Sequence, residues 1–384
     1  MVKISEFQAL IAAKEKLKNF SIRSYPEYSE NEIKNELKSN NISYLKILEE
    51  KKGSNDFLSI KQKIESFKEK KILLKQKASI YLYEQSDSNN NFIGFICGVS
   101  TKDYTNGYIK KHENTLKKRE ILFEKYLEDC KVHAEPVLLT YNKDDNIENL
   151  ILNKIKDKTD YEFTTNDEKK HRIWIINETK TIEVIKKYFS KIRNLYIADG
   201  HHRIASSNSY NENNQLNNPC LAFIISSNQL KLESFHRIIS NPSNIDKKNL
   251  LNYIKKNKLI KETKQIIPVN KNEIKIYINN KWYSINLINT ESKNDFNPLI
   301  YLSEKILKPI LNINNLQTTN KITYVADSDF KIKEIDKKNN LVFLLPKIEL
   351  KTIFDTANKN HTLPPKSTFI LPKLRTGLLI MELK

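Results

Sequence analysis

Glycine is nearly absent from this chain, with six in 384 residues, and arginine is scarce although lysine and arginine together number 65. Each glycine or arginine is therefore informative by position. Cysteine is equally sparse. Cys97, Cys130 and Cys220 are widely separated, odd in number and without metal-type spacing, which argues against a disulfide framework, a closed zinc site and a catalytic thiol. Reduced thiols of this kind suit a reducing compartment. No apolar run approaches the roughly 18 residues that span a bilayer. Met1 to Phe20 is a lysine-rich amphipathic segment without a signal-peptide core. The expectation is a cytoplasmic protein with no membrane partner.

What is present is a hydrophobic content of 39%, enough for a sizeable core and for two domains or one domain with an appended lobe. The formal net charge of +19 raises the possibility of a nucleic-acid partner. The lysines, however, are scattered among asparagines and isoleucines, as in a compositionally biased sequence, which argues against a nucleic-acid partner. A solvated basic surface would still steer anionic metabolites.

Periodicity predicts a mixed α/β protein. Helices are expected over Ile4 to Phe20, from Ser29, over Phe57 to Leu74, and near 112–130 and 181–191. A hairpin is expected from Ala78–Tyr83 and Phe92–Ser100, with further strands at Val137–Tyr141, Ile173–Ile176, Leu195–Ala198 and Leu221–Ser226. The asparagine-rich piece Ser206 to Asn218 reads as a surface loop. A composition shift near Asn241-Pro242 divides residues 1–240, a nucleotide- and phosphate-binding region, from 241–384, an α/β lobe. That lobe is expected to hold helices at 247–257 and 298–310, a hairpin turning at Asn279-Asn280, and strands near Ile322 and Leu341. Its tail, from Leu363 through Lys366-Ser367-Thr368 to Arg375-Thr376-Gly377, reads either as a cover over an anionic ligand or as a proline-stiffened edge strand.

The densest chemistry is Asp199-Gly200-His201-His202-Arg203, directly after the apolar strand. Gly200 can bring backbone amides close to an anion at the positive end of a helix. Arg203 adds a bidentate fork, His201 or His202 a further donor, and Asp199 a metal ligand or a group that orients a reacting hydroxyl. An Asp-Gly turn with capping histidines is the plainer alternative. A second constellation, His112, Glu113 and Thr115, offers a base, a ligand or phosphate donors, or simply Thr115 as a helix cap. His171-Arg172 and His236-Arg237 each sit beside an apolar strand, where they either face a cleft or mark a strand edge.

These residues resemble a widespread bacterial family of unassigned function whose signature is a tyrosine, two apolar residues and Asp-Gly-His-His-Arg, matched by Tyr196 to Arg203. The similarity extends to Tyr104–Thr115, His171–Trp174, Lys281-Trp282-Tyr283 and the Pro-Pro-Lys-Ser-Thr to Arg-Thr-Gly tail. More distantly the family is similar to the ParB and sulfiredoxin-like fold and to free-serine kinases. That resemblance implies a ParB/sulfiredoxin-like core with added N-terminal elements. It also implies transfer of a phosphoryl group from ATP or ADP, with Mg2+, to free L-serine or a similar small hydroxylated metabolite. Asp199, Glu113 and His201 would be catalytic, with Asp199 also the metal ligand and Glu27 a competitor for the base. Gly200, His202, Arg203, His112, Thr115, Arg237, Lys366, Ser367 and Thr368 would bind nucleotide or phosphate. A non-catalytic, ParB-like nucleotide-binding regulator is the alternative. The chain departs from the family pattern at Arg119–Phe123, Ala326–Asp329 and Tyr25-Pro26, which puts full activity in question.

Overall fold

Apolar β-formers dominate residues 73–99, and they form the hairpin around which the first unit is built: Leu73–Ser86 and Asn91–Val99, paired antiparallel from Tyr81↔Ile96 to Ser86↔Asn91. The computed structural model describes residues 1–49, 57–257, 260–264, 270–287, 297–316, 319–331 and 340–384. The chain divides into two compact units, one of Met1–Lys111, Thr115–Leu230 and Pro372–Lys384, the other of His112–Asn114 and Lys231–Leu371.

The first unit is a mixed α/β structure on a 12-stranded sheet. Its main path runs through Ile109–Lys110, Leu195–Asp199, Val137–Tyr141, Cys220–Ser226, Asn91–Val99, Leu73–Ser86, Phe7–Ala12, Ile380–Glu382 and Val132–His133. The strand Lys170–Ile176 also pairs with Leu73–Ser86. Leu195–Asp199 pairs parallel with Ile109–Lys110 and antiparallel with Val137–Tyr141, with a shift of register between Ile197 and Asp199, which pairs with Leu138. Helices such as Thr179–Phe189 cover the sheet, and Leu82, Phe95, Trp174, Phe189, Ile197 and Ile224 fill the core.

Three expected elements take another form. Ile4 to Phe20 is not one helix but the strands Ile4–Ser5 and Phe7–Ala12 followed by a single helical turn, Leu17–Phe20. Ala9 to Ala12 are fully buried in the sheet, and burial there outweighs the helix propensity of alanine and leucine. The helix expected over Phe57 to Leu74 ends at Glu69, and Leu73 already belongs to the long strand. Ser206 to Asn218 is mostly helix, because His201–Asn213 continues through it. Ser206, Ser207, Tyr210 and Asn211 are buried. The Ser206 hydroxyl donates to the His202 carbonyl at 2.8 Å, and Asn211 Nδ2 donates to the Asn218 carbonyl at 2.7 Å, so the polar side chains support the helix. Ser29 does cap the helix Glu30–Ser39, through a reciprocal capping box with Glu32.

The second unit holds a six-stranded antiparallel sheet in the order Ile260–Thr263, Lys281–Asn286, Glu273–Ile278, Asn340–Leu344, Phe235–Ser240 and Thr323–Ala326. The central hairpin turns at Asn279 and Asn280, with φ of 48° and 62°, the left-handed pair that a two-residue turn needs. Against the sheet lie Asn244–Lys256 and a helix that begins at Pro298 and widens into a π-helical stretch, Leu302–Leu307. Ile274, Ile276, Leu302, Leu307 and Phe343 form its core. The tail contributes an edge ribbon, Phe369–Leu371 against Lys231–Glu233. Among the described residues no helix is long and apolar enough to cross a membrane.

Gly94 shows what the scarce glycines do. A Cβ there would stand 2.3 Å from the Ile224 carbonyl oxygen of the neighbouring strand. Gly94→Ala is expected to destabilise the protein by about 2 kcal/mol or more, measured by denaturant unfolding; an unchanged midpoint would contradict this packing.

Candidate functional site

The strand Leu195–Asp199 buries Leu195 and Ile197 and ends at Asp199, which pairs with Leu138 after a register shift. Gly200 follows with φ of 93° and caps the helix His201–Asn213 without a side chain. The turn also requires glycine for space, since a Cβ would lie 2.8 Å from both Nε and Nη2 of Arg203. The Arg203 guanidinium therefore folds back over the turn.

Glu135 holds it there. Arg203 Nη1 pairs with Glu135 Oε1, whose carboxylate also accepts from the Ser24 hydroxyl at 3.5 Å and the Thr376 hydroxyl at 3.3 Å. Arg203 Nη2 lies 3.8 Å and Lys373 Nζ 3.6 Å from Asp199 Oδ2. Arg203 Nε is buried and has no hydrogen-bond partner among the described residues. Burial alone would lower the pKa of this arginine, but the charges of Glu135 and Asp199 outweigh it and raise the value. The same cation acts on His133, which burial and Arg203 together push down to about 4. The site is thus a fixed guanidinium between two carboxylates at the start of a helix, where the macrodipole also favours anions.

Glu27 belongs to the same electrostatic neighbourhood. It ends the short turn Tyr25–Glu27 and is exposed, yet withdrawal of water from its carboxyl raises its pKa. Lys169, Lys373 and Arg23 pull the value back down, and Glu135 adds to the rise. Glu27 therefore shares Glu135 and Lys373 with the Asp199–Arg203 turn.

The other expected residues are distributed as follows. His201 is buried and His202 half-buried on the first turn of the helix. Thr115 does not cap the helix Lys117–Cys130, whose N-cap is Leu116; its hydroxyl instead donates to Glu120. His171 is fully buried, with Nδ1 2.8 Å from the Tyr83 hydroxyl and its ring stacked on Phe163, while Arg172 pairs with Glu84. His112, Glu113, Arg237, Lys366, Ser367 and Thr368 belong to the second unit. There His112 Nε2 lies 3.4 Å from the Thr368 hydroxyl, and Glu113 bridges to Leu363. The Ser367 hydroxyl donates to the Pro364 carbonyl. Arg237 is buried, donates to the carbonyls of Phe235 and Lys366, and is pushed down to about 10 by burial. His236 Nε2 meets Asp327 Oδ1 at 2.8 Å.

Glu135 and Lys373 were not legible as site residues. Glu135 is a lone carboxylate after a two-residue strand, and Lys373 is one lysine among many; the only sequence signal was the polar tail that carries Lys373. Among the described residues no group of three histidine, cysteine or acidic side chains is placed to hold a metal ion. Asp199 is a single carboxylate that already faces two cations, Arg203 and Lys373.

The model of the family described as Protein of unknown function (DUF1015) matches residues 4–311. No curated protein matches the sequence. Among solved structures, SbnI with C-terminal truncation from Staphylococcus aureus is similar at 9% identity and a TM-score of 0.41, covering 72% of this chain and 82% of that one. A free serine kinase in complex with AMP is similar at 12% identity and a TM-score of 0.40, covering 74% and 90%. A conserved hypothetical protein from Pyrococcus furiosus is similar at 12% identity and a TM-score of 0.37, covering 72% and 90%.

Replacing Glu135 would leave the largely buried Arg203 charge without its principal partner. Glu135→Gln is expected to cost about 2 kcal/mol of stability in denaturant unfolding at pH 7, a figure discounted for the partial exposure of both groups. Stability equal to that of the parent would show that the pair does not fix the turn.

Proposed function

This chain belongs to the DUF1015 family of proteins of unknown function, and from that premise we propose that it is a nucleotide-dependent phosphotransferase acting on a small hydroxylated metabolite, with free L-serine as the acceptor. The observation that supports this most is the Asp199–Arg203 turn, where a guanidinium clamped by Glu135 meets a carboxylate at the start of a helix. Phosphoryl transfer depends chiefly on positioning and charge neutralisation, and a fixed fork at a helix start supplies both.

In this reading Arg203, with His202 and the amides after Gly200, binds the nucleotide's phosphates, and Lys373 adds a second cation. Asp199 orients the acceptor. Glu27 accepts the acceptor's proton, a role we assign to it in preference to Glu113 because it lies in the field of Glu135 and Lys373. Its raised pKa makes it a stronger base than an ordinary carboxylate. The hydroxyl oxygen attacks the terminal phosphorus as its proton passes to Glu27. The new O–P bond forms, the bridging P–O bond breaks, and the electron pair leaves on the nucleotide's phosphate oxygen. A magnesium ion, with Asp199 as its protein ligand, would neutralise phosphate charge when bound.

The test is incubation of the protein with magnesium, ATP or ADP, and an amino-acid mixture, followed by mass spectrometry. Phosphoserine is expected, with turnover lowered by on the order of 10²-fold or more in Asp199→Ala and in Glu27→Gln. Because Glu27 must be ionised, kcat should fall as pH drops through its raised pKa, and Glu27→Gln should lose that limb. Nucleotide binding without any phosphorylated product would instead place the protein among non-catalytic nucleotide-binding regulators.

A further inference from the structure

His133 is a buried titratable side chain that the proposed reaction leaves unused. It is 6% exposed and lies on the short strand Val132–His133, opposite Met381. Its Nε2 stands 3.4 Å from the hydroxyl of Ser207, a buried residue of the helix His201–Asn213. Ser207 follows Arg203 by four residues, so both side chains leave the same face of that helix. Glu135, two residues beyond His133, pairs with Arg203.

Two contacts therefore join one short stretch of chain to one face of the helix: His133 with Ser207, and Glu135 with Arg203. Their spacings agree. Two residues of chain span at most about 7 Å, and four residues of helix rise about 6 Å. Of the two contacts, the first is the stricter. Histidine and serine have few rotatable bonds, whereas glutamate and arginine can meet over a range of offsets. The same stretch is tied to the returning tail by its backbone, with the Leu383 amide donating to the Lys131 carbonyl at 2.7 Å and the Gly377 amide to the Ala134 carbonyl at 2.8 Å.

A neutral imidazole suits that place. Burial and the Arg203 charge both hold the pKa of His133 well below the usual histidine range, so the ring adds no second cation beside the guanidinium. In that form it can still share a hydrogen bond with a hydroxyl. An apolar side chain of similar bulk would fill the space and leave Ser207 without this partner.

We infer that His133 is a positioning residue: its contact with Ser207 sets the stretch from Lys131 to Glu135 against the helix, and so places Glu135 and the Arg203 fork for the nucleotide's phosphates. Its functional consequence rests on the phosphotransferase reading, and the experiment separates the two. The Nε–H signal of Arg203 is followed by NMR in ligand-free, arginine-labelled protein and assigned by its loss in Arg203→Lys; ATP affinity is measured by calorimetry with magnesium. In folded His133→Leu, proton exchange at Arg203 Nε should accelerate, and ATP binding weaken, each by about fivefold or more. His133→Gln, whose amide can still reach Ser207, should keep both within about twofold of the wild type. A glutamine variant as impaired as the leucine variant, or unchanged exchange in folded His133→Leu, overturns the inference. So does faster exchange with unchanged ATP affinity, which would mark a contact that serves folding alone. If His133→Leu does not fold, Ser207→Ala removes the same contact with a smaller change and is held to the same outcomes. If the wild-type chain binds no nucleotide, the phosphotransferase reading falls, and the Arg203 signal alone decides whether His133 positions the fork.

Discussion

The pairing of Arg203 with Glu135 is the interaction on which the site depends. Without it the guanidinium would have no reason to lie over Gly200, and the first turn of the helix would open on an unshaped loop. With it, one carboxylate links three chain segments: Arg203 at the helix start, Ser24 beside the Glu27 turn, and Thr376 in the returning tail. Only the strand end and the helix are local in sequence. The clamp, the candidate base and Lys373 come from residues separated by as much as 346 positions of chain, and the sheet brings them together.

The glycine scarcity has the same logic. Gly200 is required twice over, by a positive φ and by the guanidinium lying where a Cβ would be. Gly94 is required by the close approach of a neighbouring strand carbonyl. In a chain rich in lysine, asparagine and isoleucine, Gly94 and Gly200 stand where no side chain fits, so position made these two glycines more informative than their number.

The strand-to-helix handover at Asp199–Arg203 was legible because an apolar run, a glycine and a polar helix start carry their meaning locally. The hairpin at Asn279-Asn280 was legible for the same reason. The N-terminal strands were not, since Ala9 to Ala12 favour a helix in isolation and become strand only by filling the sheet between Leu73–Ser86 and Ile380–Glu382. Ser206 to Asn218 misled in the opposite direction, because its serines and asparagines bond back to their own helix or across to buried neighbours. Neither Glu135 nor the contact of His133 with Ser207 could be read without knowing which elements are adjacent. A carboxylate acquires its role from the cation it meets, and that meeting is tertiary.

The central claim is that Arg203 binds nucleotide phosphate through its fork and not merely through its charge. The most direct measurement is calorimetric titration of ATP and ADP, with magnesium, into the wild-type chain and into Arg203→Lys, alongside thermal unfolding of both. Loss of the bidentate contact should weaken nucleotide binding at least tenfold in a variant that remains folded. Equal affinity in a folded Arg203→Lys protein would contradict the account.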